Sequence, residues 1–186
     1  MEEIKMSDTR ADVTSMGLFL VSFIMLVFGM IGIFVYSGSD QVPGLVGMSV
    51  TISGLLGIVF VLLGIGAWYG GNKFLMVLFG FLAVFLTIYS MADGSGIFAD
   101  GVQMIFIMMT IFFIIFALWA FVLKAGMMLT ILLICAGLVF LFYALTLTST
   151  DAKTLFLLMG IFALIGFAVS VYLALADCME GKLPTF

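Results

Sequence analysis

Sixteen charged residues punctuate this chain and leave six long uncharged stretches: 13–39, 41–72, 74–92, 101–123, 125–150 and 154–176, of 27, 32, 19, 23, 26 and 23 residues. A helix of about 20 apolar residues reaches across a hydrocarbon core of about 30 Å, so every stretch is long enough to span a bilayer. None breaks into the short alternating segments of an outer-membrane barrel. The pattern predicts an all-α polytopic membrane protein with six transmembrane helices at about 16–37, 45–69, 74–91, 102–123, 126–147 and 154–176. Residues 1–15 then form an N-terminal segment, 16–177 one compact transmembrane domain, and 178–186 a tail.

Composition removes the soluble alternative. Of 186 residues 66% are apolar and 9% charged, with a mean hydropathy of +1.44. A soluble fold of this size needs far more polar cover. There is no histidine, so the commonest general base and metal ligand is missing. The two cysteines, Cys135 and Cys178, make neither a disulfide framework nor a zinc motif and are expected as small apolar packers. A net charge of −4 without a basic run argues against a nucleic-acid partner. The first apolar stretch is too long for a signal-peptide core and is expected to stay in the mature protein.

The lysines and arginine set the orientation. Lys5, Arg10, Lys73, Lys124 and Lys182 fall on one side of a six-span topology, and Lys153 alone on the other. By the positive-inside rule both termini lie in the cytoplasm. Asp40, Asp93, Asp100 and Asp151 then sit in or beside the outer loops. Trp68, Tyr69 and Trp119 fall near the cytoplasmic interface and Tyr36 and Tyr89 near the outer one, where amphipathic rings anchor in the headgroups.

The turns at Gly70-Gly71-Asn72-Lys73 and Lys124-Ala125-Gly126 are short and force antiparallel neighbours. Small residues recur at steps of four: Ser49, Ser53 and Gly57, then Gly66 and Gly70, then Gly166, Ser170 and Ala174. Such stripes let helix backbones approach closely, within one subunit or between subunits. Helices one, four and five carry bulky side chains instead, such as Phe106, Phe112, Phe113 and Phe116, expected to face lipid or a partner. No acid or base sits mid-span, which argues against a proton relay. The mid-span polar groups are hydroxyls and one amide: Ser22, Ser49, Thr51, Ser53, Thr87, Thr110, Thr130, Thr146 and Ser170, with Gln103 near an end. Most such hydroxyls bond the carbonyl one turn back; together they are also candidates to line a narrow path.

Four segments carry a resemblance. Tyr172-Leu173-Ala174 with Asp177, Gly181 and Leu183-Pro184 resembles the end of the acetate/succinate transporter family, the YaaH/GPR1/FUN34 group. Gly71-Asn72-Lys73-Phe74 resembles its G-N-T-F turn, Leu123-Lys124-Ala125 its L-K-G/A turn, and Met16-Gly17-Leu18 the tail of its N-P-A-P-L-G-L signature. Gly17, Leu18, Asn72, Lys124, Tyr172 and Asp177 are the matching motif positions. The chain departs from the family at Asp12-Val13-Thr14-Ser15, which replaces the Asn and prolines of the signature, and at Ala67, which stands at a family Glu.

The resemblance implies a homo-hexamer in the cell membrane, each subunit passing acetate or a similar small monocarboxylate through its own pathway, lined by helices one, three and five. The family's constriction falls on Val21, Leu82 and Ala136, aliphatic side chains that cannot hydrogen-bond a carboxylate. Lys73, Lys124 and Lys153 are candidates to concentrate anions at the mouths. The alternative is a non-transporting structural or accessory subunit. An enzyme is not expected, since a nucleophile–base pair, a metal cluster and a Gly-rich phosphate loop are all missing, and nothing calls for a cofactor. For the topology, cysteines at Ser95 and Thr150 should react with an impermeant thiol reagent outside intact cells. Unreactive sites there, with a reactive Lys73→Cys, would mean an inverted chain.

Overall fold

The computed structural model describes residues 8–40, 42–95 and 101–179. They form six helices: α1 Asp8–Ser37, α2 Val42–Tyr69, α3 Lys73–Ser95, α4 Val102–Val122, α5 Met127–Thr146 and α6 Ala152–Cys178. All six are long and apolar enough to cross a membrane, and the chain is a multi-pass, all-helical membrane protein. Two helices outrun their predicted ends by four residues or more: α1 starts eight residues before position 16, and α3 runs past 91 to Ser95. Hydropathy marks the lipid-crossing part of a helix, here Val13–Ser37 for α1, whereas polar residues prolong the same helix into water. Lys5, Lys182, Gly181 and Leu183-Pro184 lie outside the described residues.

The helix ends follow from backbone accounting, because the last carbonyls of a helix need donors. Three helices end in the same left-handed turn. At α1, Ser39 N–H donates to Phe34 O and Gly38 N–H to Val35 O; at α2, Asn72 to Ala67 and Gly71 to Trp68; at α4, Ala125 to Ala120 and Lys124 to Phe121. This is the Schellman arrangement, which requires positive φ at its pivot. The pivots are Gly38 and Gly71, each at φ 72°, and Lys124 at φ 53°. Two helix starts are capped by side chains: Asn72 Oδ1 accepts from Leu75 N–H at 3.1 Å, and Asp151 Oδ1 from Thr154 N–H at 3.3 Å.

Each helix packs on its chain neighbours, and α1 closes the ring on α6, its most extensive contact. Glycine makes that contact possible. A Cβ on Gly32 would lie 2.7 Å from both N and Cα of Gly160 and would also meet Phe156 O. The α2–α3 pair is nearly as tight, since a Cβ on Gly57 would meet Thr87 Oγ1 at 2.6 Å and Ala83 O at 3.2 Å. Gly166 faces Met25 and Cys135, and Ser170 and Ala174 are fully buried. These small residues therefore pack within the subunit. The closest backbone approach, Gly29 and Gly32 against Gly160, uses glycines that belong to none of those stripes.

Two sequence expectations are corrected. Phe106, Phe113 and Phe116 are buried inside the subunit, and only Phe112 of that group is exposed. Positions 106, 113, 116 and 120 share one face of α4, whereas 112 points off it. Tyr89 is 9% exposed and faces the interior. Its ring joins Phe85 and Phe106 at 6.1 and 5.8 Å, so it is a core group rather than an interface anchor. Trp68 and Tyr69 are exposed, as interface anchors should be.

Replacing Gly32 by Ala should cost about 1–3 kcal/mol through overpacking. Gly44→Ala, where a Cβ would meet nothing within 4 Å, should leave thermal stability in detergent unchanged. Equal melting temperatures for the two variants would contradict the α1–α6 contact.

Candidate functional site

A cavity of about 440 Å³ opens at the end that bears Lys73 and Lys124, the inner end on the charge argument. Four helices cup it: Leu18 and Val21 from α1, Leu78 and Phe79 from α3, Leu129, Leu132 and Leu133 from α5, and Leu173 and Asp177 from α6. Apolar side chains line it because these helices turn their core faces inward but do not meet at this level. Among the described lining residues Asp177 is the one ionisable group. Its Oδ2 accepts a hydrogen bond from Ser15 Oγ at 2.7 Å. Ser15 is buried and Asp177 half-buried, so the pair ties the start of α1 to the end of α6 across the rim.

Gly17 shapes the wall. A Cβ there would collide with the Phe79 ring, so the absence of a side chain lets that ring lie against the α1 backbone. The sequence-derived residues divide around this geometry. Leu18, Val21 and Asp177 line the cavity. Leu82 and Ala136 are buried, 6% and 2% exposed. Leu82 stands one helical turn beyond Leu78, and Ala136 one turn beyond Leu132. Both thus lie one turn farther along their helices than the cavity lining, which includes Val21.

Other motif positions have local structural duties. Asn72 caps α3 and Lys124 holds the left-handed pivot after α4. Tyr172 is half-buried one turn before Ala176. Lys73 and Lys124 are exposed and neither lines the inner cavity; Lys124 edges a separate external groove between the ends of α4 and α5.

All nine mid-span hydroxyls donate to a carbonyl three or four residues back in their own helix, at 2.7–3.3 Å. A hydroxyl so engaged has given away its proton but keeps acceptor lone pairs. Beyond the Val21 layer, rings fill the bundle. Phe140 lies 5.8 Å from Phe28, 5.2 Å from Phe85, 5.8 Å from Phe106 and 5.4 Å from Phe113. A second, smaller crevice of about 30 Å³ begins at this level, with Phe28 and Phe85 in its lining, between α1, α2 and α3.

Sequence reasoning placed Asp177 at a motif position without its partner Ser15, and it missed Phe79 and the outer crevice. A polar residue at each end of the membrane domain was the available signal for the Ser15–Asp177 pair. Ring placement left no such trace. Because a hydrogen bond to a charged group contributes about 1.5–3 kcal/mol, Ser15→Ala should lower the melting temperature by several degrees, at about 2–4 °C per kcal/mol for this size. An unchanged melting curve would remove the tie between α1 and α6.

No family model, curated protein or solved structure matches this chain, so the functional reading rests on the cavity, its lining and the motif residues themselves.

Proposed function

We propose that this membrane protein passes acetic acid or a similar small monocarboxylic acid through a pathway within each subunit. The observation that carries the reading is the inner cavity, a vestibule of about 440 Å³ with Val21 in its lining; Leu82 and Ala136, buried one turn beyond the lining residues Leu78 and Leu132, are read as its constriction. The four motif segments shared with the acetate/succinate transporter family support the solute class. They also support a homo-hexamer in the cell membrane with both termini cytoplasmic. In keeping with assembly, α4 exposes Met104, Met108, Ile111, Ile115, Leu118 and Val122 at alternating steps of four and three, one continuous apolar stripe for lipid or a second copy.

The chemistry of the lining selects the protonation state. Isolating an ionised carboxylate in an apolar medium costs tens of kcal/mol by Born solvation. Protonating a carboxylic acid of pKa about 4.3 at pH 7 costs only about 4 kcal/mol, at about 1.4 kcal/mol per pH unit. The neutral acid is therefore the species that crosses the Val21–Leu82–Ala136 layer. Asp177 points the same way: a carboxylate at the rim repels an anion yet accepts a hydrogen bond from the O–H of an undissociated acid. The lysines act in topology and turn geometry rather than in concentrating anions.

The second reading is a non-transporting accessory subunit. The ring-filled layer around Phe140 favours it, since four rings pack on Phe140 there at centroid distances of 5.2–5.8 Å. Flux of labelled acetate into proteoliposomes decides between the two. On the transport reading, flux rises about tenfold per pH unit between pH 7 and pH 6, as the undissociated fraction does. Val21→Phe, which fills the cavity floor from a half-buried position, and Ala136→Phe each cut it at least tenfold. Flux no greater than in empty liposomes at pH 5 would overturn the transport reading in favour of the accessory one.

A further inference from the structure

Three voids lie along one boundary of the bundle. The inner cavity sets Leu75, Leu78 and Phe79 of α3 against α1, α5 and α6. A void of about 40 Å³ separates Val13 and Thr14 of α1 from Gly66 and Gly70 at the α2 end and from Leu75 of α3. The outer crevice, about 30 Å³, sets Ile24 and Phe28 of α1 against Ser49 and Ser53 of α2 and Phe85 and Tyr89 of α3. Every one has α1 on one side and the α2–α3 hairpin on the other.

The contacts divide the bundle along the same line. Gly57 locks α2 onto Ala83 and Thr87 of α3. On the other side, Gly29 and Gly32 lock α1 onto Gly160 of α6, and Gly137 of α5 faces Phe113 Cβ of α4 at 3.4 Å. Between these two bodies α1 and α2 touch over a smaller area, and the α3 and α4 backbones stand apart. Long rings bridge the α3–α4 gap, Phe81 to Phe112 at 4.3 Å and Phe74 to Trp119 at 5.2 Å. Among neighbouring helices backbone contact is sparsest here, and side-chain rings, such as Phe85 against Phe140 at 5.2 Å, carry the rest. Along α5, by contrast, Phe106 meets Tyr143 at 4.4 Å and Phe140 stacks on Phe113, and the rings close the axis.

We infer that the outer half of the pathway is the crevice between α1 and the α2–α3 hairpin, edged by Ser49, Ser53 and Tyr89, and that it widens as the hairpin swings away from α1. This rests on the transport reading above and departs from the path along helices one, three and five that the sequence resemblance implies. At about 30 Å³ the closed crevice holds roughly one or two waters, so a carboxylic acid passes only after widening. Leu82 lies between the two vestibules: the inner one ends on α3 at Phe79 and the outer one begins at Phe85, a rise of roughly 9 Å. The serines fit the neutral acid. Ser49 Oγ donates to Val46 O and Ser53 Oγ to Ser49 O, both at 2.7 Å. Their lone pairs accept the acid's O–H, whereas neither has a proton left for a carboxylate.

The test uses the full chain with Cys135→Ala and Cys178→Ala, reconstituted in liposomes. Ser53→Cys and Thr146→Cys are added separately; Thr146 lies on the ring-filled α5 side, 8% exposed. Each is treated with a small methanethiosulfonate reagent, and acetate influx at pH 5 in excess of that into empty liposomes is read. Modification of Ser53→Cys should cut influx at least tenfold and modification of Thr146→Cys should leave it unchanged. A loss at Thr146→Cys that equals or exceeds that at Ser53→Cys overturns the inference. So does influx that persists after treatment of Ser53→Cys, whether or not mass spectrometry finds the reagent attached. Absence of influx in the untreated wild-type protein defeats the transport reading itself and is seen before any cysteine is introduced.

Discussion

Nothing inside a bilayer can solvate a peptide group, so each carbonyl, N–H and hydroxyl in this chain must find its partner within the protein. That constraint accounts for most of the local structure. Nine mid-span hydroxyls turn back onto their own helices. Three helix ends fold into left-handed turns that supply donors to the last carbonyls. Lys124 accepts positive φ for the same reason, a conformation that disfavours a side chain by about 1 kcal/mol or more.

With polar groups settled helix by helix, cohesion between helices comes from fit, since lipid tails are as apolar as the side chains they would replace. Fit is unevenly distributed here. Backbone meets backbone where glycine permits it, at Gly32–Gly160 and Gly57–Ala83. Elsewhere rings span wider gaps. A bundle held by two kinds of contact is stiff within its glycine-locked pairs and soft across its ring-bridged seams, and three voids lie along the soft boundary.

Much of this was legible from the sequence. Six uncharged stretches named the six helices, because hydropathy over 20 residues is a physical length. Asn72 and Gly71 announced the turn they make. The directions of side chains were not legible. In a helix apolar on every side no periodicity separates a core face from a lipid face, so Phe106 and Phe112 read alike although one is buried and the other exposed. Tyr89 sat at interface depth yet turned inward. For the candidate site, Val21, Leu82 and Ala136 were reached by resemblance alone. The Ser15–Asp177 pair spans 162 positions, a separation that no local pattern encodes.

The pairing of α1 with α6 also has a bearing on how the protein is made. Chains emerge from the N-terminus and domains form as their parts appear. α1 is made before the other five described helices, yet its glycine face has no counterpart until α6 has been synthesised. Until then Gly29 and Gly32 remain open to lipid or to foreign helices, and the ring closes only in a non-local step. Assembly of the six-helix ring therefore closes with its largest contact, and a chain stopped short of residue 160 would carry an unmatched helix-docking surface in α1.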